Sequence, residues 1–183
     1  MVKNPLDYGD DAARGGAVRL AQLGASLAAH DAESVHAMFT PACGQTPIGD
    51  AELPEVVSCV NAMGNVRALE LGETDITDAG VSHLRRLKKL DTLDLHGTAI
   101  TDQALQHIQA IPGLTELSLS GTKVTDAGVP HLTPLVHLEH LQLFGTRITR
   151  RGIALLRKSL PDTRIENDVE RGCGGTRDCY GPE

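Results

Sequence analysis

Few residues able to do chemistry stand at a spacing that would let them. Asp94 and His96 are two apart, which on a strand sets a carboxylate beside an imidazole on one face. His140 and Gln142 repeat that spacing. A carboxylate–imidazole pair can begin acid–base chemistry, but it needs a nucleophile and a site that excludes water. Neither accompanies these pairs. GxSxG, HExxH, a phosphate-cradling Gly loop and a dinucleotide fingerprint are all missing. His83, His107 and His131 recur every 24 residues, which raises a metal reading. On the outer helices of a stack they would stand too far apart to share an ion, so they are expected to hydrogen-bond neighbouring turns. Cys43, Cys59, Cys173 and Cys179 form no CxxC pair. Cys173 and Cys179 could close a small disulfide ring or remain thiols, while Cys59 is expected in the core. No enzyme activity, cofactor or metal is expected.

Composition narrows the partner classes. The chain of 183 residues carries a formal net charge of −7, with 17 Lys and Arg against 24 Asp and Glu. Phosphate backbones need a basic face, so nucleic acid is a poor partner. No run approaches the roughly 18 apolar residues of a membrane span. The N-terminal residues lack the apolar stretch of a secretory signal, and a reducing cytoplasm is expected. Aromatic residues make up 2% and Trp is absent. A core of Leu, Ile, Val and Ala suits thin regular layers better than an irregular globule.

The layers are visible as an internal repeat of 24 residues, beginning at Val66, Leu90, Leu114 and Leu138 without a gap. Each unit holds a Leu-x-Leu pair: Leu69 and Leu71, Leu93 and Leu95, Leu117 and Leu119, Leu141 and Leu143. Period-two alternation makes each a short strand with one buried face. A Gly-Thr turn follows at Gly97-Thr98, Gly121-Thr122 and Gly145-Thr146, whereas the first unit has Glu73-Thr74. The four turn threonines are expected to satisfy backbone groups. Thr77, Thr101, Thr125 and Thr149 stand at helix N-caps, with Asp78, Asp102 and Asp126 in the first helical turn. Val81, Leu84 and Leu87, with their equivalents, form the inward helix face. One unit is thus strand, turn, helix and return, and stacking buries what one unit alone leaves exposed.

This LxxLxLxxTxITDxGLxxLxxL pattern resembles bacterial leucine-rich repeats that carry Thr where Asn is usual. It is similar to the ribonuclease-inhibitor-like and F-box-associated repeat classes, and it covers residues 66–161. The resemblance implies an α/β leucine-rich-repeat solenoid with a parallel sheet on the concave face and helices on the convex face. It also implies a partner held on the concave sheet, although a fold by itself does not fix a function.

The ends are expected to be atypical. Residues 1–34 form an N-terminal segment, with a capping helix over Ala17–Ala29 whose Ala17, Leu20, Leu23 and Leu27 share a face. Residues 35–65 form a degenerate first repeat, because Gly44 to Leu53 echoes Gly72 to Val81 at a spacing of 28. Its helix is Leu53–Met63 and its strand lies near Thr40–Cys43, where Pro41 fits only an edge. Residues 66–167 hold the repeats and a closing strand around Ile165, and 168–183 form a Gly-rich flexible tail.

Strand positions between the buried leucines make three outward columns. They are Ala68, Thr92, Glu116 and His140; Glu70, Asp94, Ser118 and Gln142; and Gly72, His96, Ser120 and Phe144. Glu70, Asp94 and Glu116 repel one another unless a cation meets them. That reads either as a receptor for a basic segment or as a solvated acidic face. Phe144, one of two Phe residues, falls at an exposed strand position, as a binding anchor or as a patch covered by the tail. The candidate partner-binding residues are Glu70, Asp94, His96, Glu116, Ser118, His140, Gln142 and Phe144. Basic residues gather on the convex side, at Arg147, Arg150, Arg151, Arg157 and Lys158 and at Arg85, Arg86, Lys88 and Lys89, with Arg150 replacing the Asp of other units. The reading is a bacterial protein-interaction module: an adaptor, an inhibitor or an assembly subunit of a larger complex. It would bind another protein, through a basic segment of that partner, and neither nucleic acid nor membrane. The alternative is a substrate-recognition subunit of a ubiquitin ligase or an injected effector, although residues 1–50 show no F-box-like pattern.

Overall fold

A Leu-x-Leu pair stays buried only if its strand has neighbours, and the chain supplies them in series. The computed structural model describes residues 11–29, 34–39 and 48–169. Helix α1 (Asp11–Gln22) leads into β1 (Ser26–Ala29), β2 (Val35–Met38) and α2 (Leu53–Met63). The repeats follow as β3 (Val66–Glu70), α3 (Asp78–Leu84), β4 (Thr92–Asp94), α4 (Asp102–Ile108), β5 (Glu116–Ser118), α5 (Val129–Leu132), β6 (His140–Gln142), α6 (Arg150–Ser159) and β7 (Arg164–Glu166). A 3-10 turn at Asp126–Gly128 opens the third helix, and Pro130 lies in the first turn of α5, where its missing N–H costs nothing.

The seven strands form one sheet in chain order, β1 to β7. The β1–β2 pair is antiparallel and every later pair is parallel. From β3 to β7 the register advances one unit per strand, so Leu69, Leu93, Leu117, Leu141 and Ile165 face one another. All five are buried, as are Leu71, Leu95, Leu119 and Leu143 beside them. From the helix side Val81, Leu84, Leu105, Ile108, Leu132 and Leu156 close the same core. Each such side chain contributes roughly 1.5–3 kcal/mol by leaving water.

Two kinds of side-chain bond recur along the stack. Thr74, Thr98, Thr122 and Thr146 each donate a hydroxyl to the carbonyl three residues back, at 2.6–2.9 Å, which meets the expectation for the turn threonines. The turn itself needs a left-handed residue, supplied by Gly97, Gly121 and Gly145 at φ of 66°, 71° and 64°. Glu73 holds that place in the first repeat at φ 57°, the one non-glycine with positive φ among the described residues.

The second bond joins one repeat to the next. Thr77, Thr101, Thr125 and Thr149 cap their helices, each hydroxyl accepting a backbone N–H of the first turn. The same hydroxyl and the Thr N–H donate to both oxygens of an Asp in the preceding layer, at 2.6–2.8 Å. The pairs are Asp50–Thr77, Asp78–Thr101, Asp102–Thr125 and Asp126–Thr149. A methyl built on Gly80, Gly128 or Gly152 would come within 2.2–2.5 Å of Oδ1 of Asp50, Asp102 or Asp126, so the carboxylate occupies the space a side chain would take. The second repeat carries Ala104 at that place, and its Asp78 bonds are still 2.7 Å. Arg150 stands where the next Asp would be, and this ladder ends with Thr149.

The N-terminal cap differs from its expected outline. The helix runs from Asp11 to Gln22 rather than from Ala17 to Ala29. Gly24, at φ 95°, breaks it, and Ser26–Ala29 becomes a strand in which Leu27 is buried. Helix α1 packs on α2, where the Arg19 guanidinium meets both carboxylate oxygens of Glu55. The strand that pairs with β3 is Val35–Met38, with Ala37 opposite Leu69, while the strand expected near Thr40–Cys43 falls on residues outside those described. Alternating burial of Val35 and Ala37 suits a strand, whereas Pro41 cannot donate to a ladder. Residues 40–43 lie outside the described residues. On the turn side the expected echo holds, since Gly49 pairs with Asp75 and Asp50 binds Thr77.

Candidate functional site

A strand shows alternate residues to its two sides, so burying the leucines drives their neighbours outward onto the concave face. The parallel register aligns those neighbours in columns: Ala68, Thr92, Glu116, His140 and Arg164 in one, Glu70, Asp94, Ser118, Gln142 and Glu166 in the next. Backbone bonds continue past the strands, from Glu73 N–H to His96, from Gly97 to Ser120 and from Gly121 to Phe144, and align the third column as well.

The middle of this face encloses a concavity of about 300 Å³. Six of the eight predicted residues line it: Glu70, Asp94, Glu116, Ser118, His140 and Gln142. Thr92 joins them, its hydroxyl donating to Glu116 Oε2 at 3.4 Å, with Leu93 and Leu117 also contributing. Among the described residues, three carboxylates and no Lys or Arg line this space. Parallel neighbours stand about 4.8 Å apart, so Glu70 and Asp94 share one cation's reach.

His96 and Phe144 lie beside the concavity rather than in its lining. His96 Nδ1 is 2.8 Å from Asp94 Oδ2, and the His96 backbone N–H donates to Asp94 Oδ1 at 2.9 Å. Its Nε2 is 3.9 Å from Glu73 Oε1, so carboxylates flank both ring nitrogens. The ring lies over Gly72, where a built methyl would come within 2.0 Å of it. Phe144, expected to be exposed, is partly buried. At the far end Arg164 and Glu166 of β7 pair at 2.7 Å.

Glu73, Thr92, Arg164 and Glu166 are members of the face that residue types alone did not single out. Thr92 itself carries no charge to draw notice. Arg164 and Glu166 flank Ile165, so extending the register by one unit finds them. Glu73 was marked only by the absence of the turn glycine.

The remaining candidates lie elsewhere. His131 Nδ1 is 3.4 Å from Gln109 Oε1 of the preceding repeat, a contact between neighbouring turns of the expected kind. No group of three metal-ligating side chains occurs among the described residues. Cys59 is buried in α2, and that burial pushes its thiol pKa up. Cys43, Cys173 and Cys179 fall outside the described residues, as does most of the tail. No helix among the described residues is long and apolar enough to cross a membrane.

A family model described as Leucine Rich repeat matches residues 65–84 and 113–129. No curated protein matches the chain. Among solved structures, the TLR13–ssRNA13 complex is similar at 18% identity and a TM-score of 0.51, over 79% of this chain and 23% of that one. This chain therefore spans about a quarter of that protein's length. Internalin C2 from Listeria monocytogenes aligns at 16% identity over 74% of this chain and 72% of that one, with a TM-score of only 0.34. The continuous parallel sheet, the 24-residue register and the family match agree that this chain is a leucine-rich-repeat protein.

Proposed function

We propose that this chain is a protein-interaction module that receives a basic segment of its partner on the concave sheet. The observation that carries the reading is the gathering of Glu70, Asp94 and Glu116 around one concavity, with no Lys or Arg in its lining among the described residues. Carboxylates so placed repel one another, and an incoming cation relieves the repulsion. The sheet is fixed by its register, so binding orders few side chains and costs little entropy. The same charge disfavours a phosphate backbone. Binding rather than catalysis fits the Asp94–His96 pair, because a second carboxylate, rather than a Ser or Thr hydroxyl or a Cys thiol that the ring could activate, faces the other ring nitrogen. An adaptor, an inhibitor and an assembly subunit would each use such a face.

The test is binding of a fluorescent Arg-rich peptide by fluorescence anisotropy. Binding should be measurable at low salt and weaken as salt screens the face. The double variant Asp94→Lys with Phe144→Ala should abolish it while the circular dichroism spectrum stays unchanged. Undiminished binding by a folded double variant would reject this face as the site.

A further inference from the structure

We infer that two copies of this chain join edge to edge through β7, as an antiparallel pair of strands centred on Ile165. The inference is independent of what the concave face binds.

Strand β7 ends the sheet, and no strand stands beyond it among the described residues. An edge strand carries backbone groups that can take up another strand. The ladder with β6 shows which groups these are. The Arg164 N–H donates to the Glu139 carbonyl, and the Glu166 carbonyl accepts from the Leu143 N–H, so both residues turn their backbone toward β6. Successive residues alternate sides, so the N–H and carbonyl of Ile165 face the open edge. The same two groups on a second copy complete a hydrogen-bonded antiparallel pair, each Ile165 donating to the other.

The side chains select the same register. Centring on Ile165 sets Arg164 of each copy opposite Glu166 of the other. These flanking positions are non-hydrogen-bonded ones, where opposed side chains approach most closely. Arg164 and Glu166 already pair within the chain at 2.7 Å, so the four charges alternate in sign around a square. Centring on Arg164 or on Glu166 would set like charges opposite each other. A shift of one residue would carry Ile165, which is buried in the core, onto the charged face. The other end of the sheet offers no such choice, because β1 is Ser26–Ala29 and carries no charge. A further parallel layer is disfavoured beyond β7, because Arg150 replaces the Asp that would bind that layer's Thr. In the antiparallel pair the two-fold axis stands normal to the sheet, so both concave faces lie on one side.

Sedimentation equilibrium of the full chain over a wide concentration range tests the pairing. The mass should rise reversibly from that of one chain toward that of two and no further. An edge of three residues is small, so the association is weak. Arg164→Glu and Glu166→Arg should each weaken it at least about tenfold, with circular dichroism unchanged. Mixing the two single variants should restore association, because each supplies the charge that the other lacks. The double variant Arg164→Glu with Glu166→Arg should restore it alone. Hydrogen exchange at the Ile165 amide should slow as concentration rises. A chain that stays monomeric throughout, one that forms larger oligomers, or association indifferent to the single reversals would overturn the inference. So would an Ile165 amide already protected at dilutions where the chain is monomeric, which would place another segment of the same chain on that edge.

Discussion

The two flanks of each repeat follow different rules. On the turn flank the same residues return layer after layer: an Asp that binds the next layer's Thr, and a turn Thr that binds the carbonyl three residues back. On the concave flank unlike residues follow one another, as in Glu70, Asp94, Ser118 and Gln142. The recurring residues make contacts within the turn and from layer to layer. The varying ones face outward. Recurrence within a single chain therefore marks what the stack needs, and variation marks what the stack leaves free for other work.

Removing a clamp strikes the recurring flank hardest. Asp102→Ala deletes both bonds to Thr125, one of them from its backbone N–H. Hydrogen bonds to a charged group are worth about 1.5–3 kcal/mol each, and these are partly exposed, so a loss of about 2–3 kcal/mol is expected in urea unfolding. Asp102→Asn, which keeps one acceptor, should recover part of it. A loss below about 0.5 kcal/mol would mean that recurrence does not report stabilising contacts.

A smaller effect of opposite sign is expected where the turn departs from its pattern. Glu73 holds a left-handed conformation that glycine adopts freely in the other repeats. Glu73→Gly should raise stability by roughly 0.5–1 kcal/mol, the strain relieved less the entropy that glycine loses on folding. A destabilised variant would show that contacts of Glu73 outweigh its strain.

The smallest effect concerns a contact that does not recur. Hydrogen bonding from Arg19 holds the Glu55 carboxyl below its usual pKa. A lowered folded-state value gives a contribution complete above the ordinary carboxylate range and lost as pH falls through the lowered value. Glu55→Gln should therefore lower the melting temperature slightly at neutral pH, with the gap closing in acid. Both groups are exposed, so the gap should be the least of the three. A gap that persists at low pH would come from packing instead.

The body of the fold was legible because each layer states its rule again. Leu pairs, turn Gly-Thr and capping Thr recur at a fixed interval, and four copies leave little freedom in the register. The clamp was only half legible. Asp78 reads as an acid in the first turn of its own helix, yet it binds Thr101, 23 residues on, and only stacking brings the two together. The N-terminal cap was misread because Leu20, Leu23 and Leu27 fit a helical period. Gly24 divides them, and Leu27 serves a strand. The strand Val35–Met38 was not legible from the echo, because the echo repeats the turn side and not the strand. Ala37 to Leu69 spans 69 − 37 = 32 residues, against 28 from Gly44 to Gly72. On the concave face six of the eight chosen residues meet, because alternation and register alone place them. The tilt of His96 over Gly72 and the partial burial of Phe144 depend on neighbours that no periodicity specifies.

The most direct measurement is an NMR titration of the isotope-labelled protein with an Arg-rich peptide, followed at every backbone amide. Shifts are expected at Glu70, Asp94, Ser118 and Gln142 and their strand neighbours, with the capping residues Thr77, Thr101 and Thr125 unmoved. Shifts centred on the caps and helices, with the strand amides unmoved, would contradict that expectation.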